Sequence, residues 1–325
     1  MKPSVRSLPG KEIPVGSRNA ILPLFVSLLV AACGCIDIQA AWSMKKLPDT
    51  GQTVKYTSTF GEDADYTIHP PSLTDNGDGT VTDQVTGLIW QKTDGGEMTW
   101  ESARTYAASL TLTSQADWRL PTAHGLFSIL NHGRNPALDT SVFTATQAEY
   151  WWSADTLLGD SSRVWVTNAG GGIGPHPKSE TISAGGSKRY HARCVRGAAA
   201  PSGHPLHSFR NNQDGTVTDL DTGLTWQQAE VSPAMTWEDA LKYAESLTLA
   251  GFSDWRLPNI KELQSINDET YVTPSIDKSF FPGAAATRTW SSTSLFGNQS
   301  TRAWFMDFQS GIASYDEKTL ARQVR

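Results

Sequence analysis

The stretch DGTVTDQVTGLIW at residues 78–90 returns as DGTVTDLDTGLTW at residues 214–226, and the repetition continues downstream. MTWESARTYAASLTL matches MTWEDALKYAESLTL, and DWRLPTAHGLFSI matches DWRLPNIKELQSI. WWSADTL then matches TWSSTSL, RVWVTNAGGGI matches RAWFMDFQSGI, and ARCVR matches ARQVR. Self-similarity of about 75–197 onto about 211–325 far exceeds any solenoid period, so it marks the tandem duplication of a whole domain. With 325 residues the chain has room for two domains that each bury a core. The boundaries expected are a signal or lipoprotein signal segment at 1–40, a tether at 41–72, repeat one at 73–197, a linker at 198–208 and repeat two at 209–325.

Both copies give the same local structure. TVTD and TGLIW have strand composition around polar turn residues and predict a β-hairpin, with Leu88 and Trp90 on one face and Ile89 outward. Thr99 precedes Ala103, Tyr106, Ala107 and Leu110 at helical spacing, and Thr236 does the same for Ala240, Tyr243, Ala244 and Leu247. DWRLP enters a second helix, for which Asn259 and Glu262 form an N-cap and N3 pair. Repeat one has Thr122 as cap but Gly125 in the place of Glu262, which predicts a weaker helix. Short Trp-containing strands follow. The fold class expected is α+β, each domain with two helices and a small antiparallel sheet.

The N-terminus reads as an export signal: Lys2, Arg6, Lys11 and Arg18 precede the apolar run AILPLFVSLLVAACGC. VAAC ending at Cys33 has the form of a bacterial lipobox, which makes Cys33 a lipidation site. Cleavage after Ala40 and an uncleaved anchor are the competing readings. The first two place the mature protein outside the cytoplasm, in the cell envelope as a lipoprotein or secreted. Beyond Cys33 only Cys35 and Cys194 remain, so no disulfide framework holds the domains. A net charge of -6 without a Lys/Arg run argues against nucleic acid as partner.

The motifs DNGDGTVTD, TGLIW, DWRLP, the Trp-Ser strand and the terminal RCVR together resemble the C-terminal domain of the Legionella collagen-like adhesin and its relatives. The resemblance spans nearly all of both copies. It implies two tandem C-type-lectin-like domains, related in outline to formylglycine-generating enzymes, and a role in extracellular binding or adhesion. In the motif alignment Gln323 replaces the terminal cysteine of copy one, so Cys194 is not required by the fold. The oxidising enzymes of the wider fold need reactive cysteines, and their activity is not expected here.

Candidate sites follow from residue chemistry. The Asp-Gly stretch fails as an EF-hand, because a register on Asp78 and Gly79 puts Val85 at position 12 and repeat two puts Arg210 at position 1. It reads as scaffolding. Calcium stays open through loops distant in sequence, and no other cofactor is expected. Arg119 and Arg256 of the DWRLP turns read as structural, each pairing with a nearby carboxylate. Trp151, Trp152 and Trp165 in copy one, and Trp290 and Trp304 in copy two, are candidates to stack on sugars or partner surfaces, with Arg163 and Arg302 two residues before a Trp on the same strand face. The long loop of copy one carries His176, Lys178, Lys188, Arg189 and His191, where an anionic glycan would be sought. All seven histidines precede residue 208, so no His-based triad or zinc cluster is common to both copies. The function expected is non-enzymatic binding of an extracellular glycan or surface protein, with avidity from two sites. An envelope enzyme on a formylglycine-generating-like scaffold and a structural subunit of an envelope assembly are the rivals.

Overall fold

The computed structural model describes residues 46–144, 148–181, 189–197, 208–271, 273–297 and 301–325. The segment 1–40 with Cys33, the loop residue Lys188 and the linker up to residue 207 lie outside the described residues. Everything described belongs to one compact unit, 39–325. Among the described residues no helix is long and apolar enough to cross a membrane.

Repeat one begins with strands β1 (Leu73–Asp75), β2 (Thr80–Asp83) and β3 (Ile89–Gln91), joined by the repeated Asp-Gly turns. Those turns use their own carboxylates. Asp78 accepts from the Thr80 amide (3.0 Å) and hydroxyl (2.6 Å), and Asp214 does the same for Thr216 at the same distances. Asp83 and Asp219 likewise accept from Thr86 and Thr222, so each acid caps its own turn. Helices α1 (Trp100–Ser109) and α2 (Ala123–Ser128) follow, capped by Thr99 and Thr122. Strands β4 (Ala148–Leu157), β5 (Asp160–Asn168), β6 (Ile173–Pro177), β7 (Arg189–His191) and β8 (Val195–Arg196) complete the repeat.

Repeat two reproduces this with β9 (Phe209–Asn211), β10 (Thr216–Asp219), β11 (Thr225–Gln227), α3 (Trp237–Ser246), α4 (Ile260–Ser265), β12 (Arg288–Ser294), β13 (Arg302–Asp307) and β14 (Ile312–Glu317). Helix α4 carries the expected capping box between Asn259 and Glu262. Helix α2 is as long as α4 despite Gly125, and Asp155 from β4 accepts from its Ala123 amide at 2.6 Å. Asp155 stands where Thr293 accepts from the Ile260 amide in repeat two, and it brings a carboxylate to the start of a helix that has none of its own.

The two copies do not keep separate central sheets. β14 pairs with β6, Ala313 opposite Ile173, and the result is one seven-stranded sheet in the order β12-β13-β14-β6-β5-β4-β7. Close approach at this seam requires a missing side chain: a Cβ on Gly311 (φ +71°) would lie 2.8 Å from the Trp165 ring of the other repeat. Below the seam, Phe127 and Leu130 pack with Ile260, Leu263, Trp165, Trp304 and Met306 in a single core shared by both copies. The small outer sheets remain separate, β1-β2-β3-β8 in one repeat and β11-β10-β9 in the other.

The described part of the expected tether is instead a strap built into the fold. Asp49, Thr50, Gln52, Glu62 and Asp63 are all buried. The Asp63 carboxylate accepts from the hydroxyls of Thr50 and Thr293, both at 2.7 Å. Gln52 accepts from the Ser294 amide and Glu62 from the Ser294 hydroxyl, which fastens the strap to β12. The ammonium of Lys261, on α4 and fully buried, donates to the carbonyls of Asp49 and Ser128 at 2.8 Å each. One cation thereby joins the strap, α2 and α4. A stretch of polar residues without periodicity carries no apolar signal of burial, and its partners lie some two hundred positions away.

The terminal motifs also align differently in space than in sequence. Arg193 donates to the carbonyls of Gln91 and Lys92, meets Asp94 and lies over Phe143. Arg325 donates to the Gln228 carbonyl, meets Glu230 and lies over Phe281, the corresponding partners. The Gly95 amide donates to Ala192, and the Val231 amide to Val324. Arg325 therefore stands where Arg193 stands, three residues out of step with the ARCVR–ARQVR match. Gln323 is the counterpart of His191, each pairing in parallel with the strand before the Trp, and not of Cys194.

Burial raises the Asp63 carboxyl from its ordinary 3.8 to about 7, with Asp49 nearby adding to the effect. The folded state therefore holds a proton that the unfolded chain releases. This contribution to stability is fully present below about pH 3.8 and is lost as pH rises through about 7. Asp63→Asn should accordingly flatten the fall in Tm between those pH values, measured by thermal melts of the variant beside the natural chain. A variant whose slope is unchanged would assign that titration to another group.

Candidate functional site

Most of the aromatic residues marked as binding candidates are core. Trp152 is fully buried, stacks on Tyr190 at 4.8 Å between ring centres and donates its indole N–H to the Met98 carbonyl at 2.8 Å. Trp290 is fully buried and donates to Met235. Trp151 is buried and reaches Asp94, and Trp165 packs under the seam. None of these four presents a ring face to solvent, which corrects the surface-stacking role expected of them. Strand alternation located them on common faces but gave no means of telling inner from outer face.

The arginines are committed as well. Arg163 donates to the Pro175 carbonyl at 2.8 Å and holds β5 to β6, and Arg302 pairs with Glu317 at 2.6 Å. In the long loop of copy one, Arg189 pairs with Glu97, Lys178 lies 4.2 Å over the Trp100 ring, and His191 meets Asp94 at 2.7 Å. An anion approaching these groups would have to displace partners already in place. Lys188 lies outside the described residues. Among the described residues no group of three or more His, Cys, Asp or Glu side chains is arranged to hold a metal ion.

Trp304 is the exception among the five indoles. It is buried, yet it forms part of the lining of a cleft of about 620 Å³ that opens over the seam where β6 meets β14. Tyr150, His176, Trp304 and Tyr315 supply aromatic surface, and Asn135 and Glu149 supply polar groups. Tyr315 is 42% exposed, meets Trp304 edge-on at 5.4 Å and has the Arg302 guanidinium 5.8 Å from its ring centre. Tyr150 stacks on Tyr190 at 4.8 Å and is held against His176 at 4.9 Å. The Tyr190 hydroxyl bonds to both His176 and Glu180, which orients the imidazole from behind. Hydrogen bonds of this kind fix a wall before any ligand arrives. The Trp304 indole N–H is itself buried and has no partner among the described residues, so Trp304 meets the cleft only through its ring edge.

Chemically this is a concave surface with aromatic walls, one carboxylate and amide groups. It lacks an evident nucleophile. The Cys194 thiol is fully buried and pushed up to about 12 by burial, so it is neither accessible nor ionised near neutrality. His132, packed edge-on against Trp304, is pushed down to about 3 by burial and the nearby Lys261, and it serves as a neutral packing group bonded to the Gly171 carbonyl. Sequence reasoning missed Tyr150, Tyr315 and Glu149, because the cleft exists only once the two repeats are joined. Each residue alone is an unremarked member of a strand.

The core assignment carries a stability prediction. Trp152→Ala and Trp290→Ala should each lower stability by roughly 3–5 kcal/mol, the range for removing a large buried aromatic side chain. Urea titration followed by fluorescence would measure it, and a loss within about 0.5 kcal/mol would return these rings to the surface.

A comparison with curated proteins finds no match to the chain. The profile of the Lcl C-terminal domain family matches twice, at residues 79–196 and 215–325, which together cover most of the chain and coincide with the two repeats. The chain belongs to the Lcl C-terminal domain family, as a tandem pair of its domains.

Proposed function

We propose that this is an extracytoplasmic, non-enzymatic binding protein with lectin-like domains, and that its principal ligand is a glycan held in the cleft over the seam. The observation that carries the reading is the juxtaposition of Tyr150, Tyr315 and Trp304 with Glu149 in one cleft. Aromatic faces pack against the C–H faces of sugar rings, and a carboxylate accepts from adjacent hydroxyls. The site would be composite, with Tyr150 and Glu149 from repeat one and Trp304 and Tyr315 from repeat two. Duplication then serves to build one site rather than to multiply a weak one.

Family membership supports a role in adhesion outside the cell, and the apolar N-terminal run supports export, with Cys33 as the lipid-bearing residue of the mature chain. The enzymatic rival on a formylglycine-generating-like scaffold draws no support from Cys194, whose thiol is sealed in the core. A binding role asks only for the walls described above.

A glycan array probed with the protein, with calcium and with chelator, followed by calorimetry on the best ligand, tests the proposal. Tyr315→Ala and Glu149→Gln should each weaken binding by about tenfold or more, roughly 1.4 kcal/mol, with Tm nearly unchanged. Binding that survives both substitutions would remove the cleft from consideration, and an array without specific binding would remove the glycan.

A further inference from the structure

The seam cleft carries a charge that its surroundings do not balance. Among the described residues that line it, Glu149 is the one acid, and no lysine or arginine is present. Glu149 is half-buried, and its carboxylate forms no ion pair or hydrogen bond among the described residues. Its oxygens are not among the sealed polar atoms, so they remain open to the cleft. The cations around the rim are spent elsewhere. Arg134, next to Asn135, pairs with Asp139, and Arg163 donates to the Pro175 carbonyl at 2.8 Å. Arg302, beside Tyr315, pairs with Glu317 at 2.6 Å. Any charge on His176 is balanced by Glu180, 3.7 Å from its Nδ1.

Repeat two has no such charge at the equivalent place. In the match of the Trp-Ser strands, Thr287 stands for Glu149 and Arg288 for Tyr150. Arg288 lies over the Phe305 ring and is neutralised by Asp307 and Asp316, at 3.5 and 3.2 Å. The rim differs as well. Asn168 accepts from the Gly170 and Gly172 amides at 2.9 and 3.2 Å, which holds a turn whose glycines put no side chain over the cleft. The corresponding turn of repeat two carries Phe308, Gln309 and Ser310. An open wall and an unbalanced carboxylate therefore come together on one side of the seam.

We propose that the cleft selects an amino sugar, a glycan unit whose amine is unacylated and protonated, with Glu149 as its counter-charge. This inference rests on the glycan reading of the cleft and narrows it. A sugar lying there takes water away from Glu149, and a carboxylate that loses water without gaining a counter-charge is costly. A neutral sugar offers it hydroxyl hydrogen bonds alone. An ammonium brings a full charge and three donors, and the ring of Tyr315, 42% exposed, attracts it besides. N-acetylation removes that charge, while a uronic or sulfated sugar sets one anion against another. The concave wall concentrates the field of the single carboxylate, which favours a cation before contact is made.

Calorimetry on the full protein with three tetrasaccharides tests this: β-1,4-linked glucosamine, its N-acetylated form and β-1,4-linked glucose. About pH 7 suits it, where an amine of α-amino basicity is mostly protonated. The glucosamine form should bind about tenfold more tightly than either neutral form, and the ratio should shrink as salt rises from about 50 to about 500 mM. Glu149→Thr, which installs the residue of repeat two, should bring the three affinities within about threefold of one another with Tm nearly unchanged. Glu149→Gln, which keeps the side-chain shape, gives the same comparison if the threonine variant does not fold. A glucosamine preference that survives the loss of this charge, or is indifferent to salt, would overturn the proposal. Equal or tighter binding of a neutral or acidic glycan would also overturn it, and would leave the glycan reading standing. Binding of no glycan at all would remove both.

Discussion

The contact between β6 and β14 determines the rest of this molecule. A small domain of this kind has two sheets and two short helices, and six-residue helices such as α2 and α4 cannot hold themselves in water. They persist because Phe127, Leu130, Ile260 and Leu263 pack into one core beneath a sheet that crosses from one repeat to the other. Neither copy could bury this surface alone, since the residues it contributes to the shared core would face solvent. Joining the sheets also removes two exposed edges at once, which a pair of independent domains would have to protect separately.

Burying polar groups under that seam carries a cost that the strap offsets. Lys261 sits fully buried with its ordinary value lowered to about 8, because burial disfavours the cation. It is tolerated through two backbone carbonyls, one from the strap and one from α2. Asp63 and Glu62 are satisfied by hydroxyls from the strap and β12. A polar network of this sort contributes direction more than energy, because its buried donors and acceptors are satisfied only in one arrangement of strap, α2, α4 and β12. It explains why residues 46–72 belong to the domain body although their composition reads as linker.

Much of the scaffold was legible in the sequence. The repeat, the hairpin faces of Leu88 and Trp90, the Thr99 and Thr236 caps and the Asn259–Glu262 box follow from local patterns of period two, period 3.6 and capping chemistry. The site was not legible, for a physical reason. Trp152 and Tyr315 each sit in a strand of alternating character, and only the packing of a second layer decides which ring is covered. The terminal register failed for a related reason: ARCVR and ARQVR match as strings, but an arginine that must reach Glu230 and Phe281 is placed by those partners, not by its neighbours in sequence. Three residues of slippage moved Gln323 from the cysteine position to the histidine position.

Duplicated domains that pack symmetrically would offer the same surface twice, and these do not. Glu149 and Tyr150 stand on one side of the seam cleft, Trp304 and Tyr315 on the other, and they are not copies of one another: Tyr150 corresponds to Arg288 in repeat two. Divergence at the seam therefore makes a surface with two different walls, suited to an asymmetric ligand such as a sugar with distinct faces. In this chain the proposed site lies where the two copies have ceased to be alike.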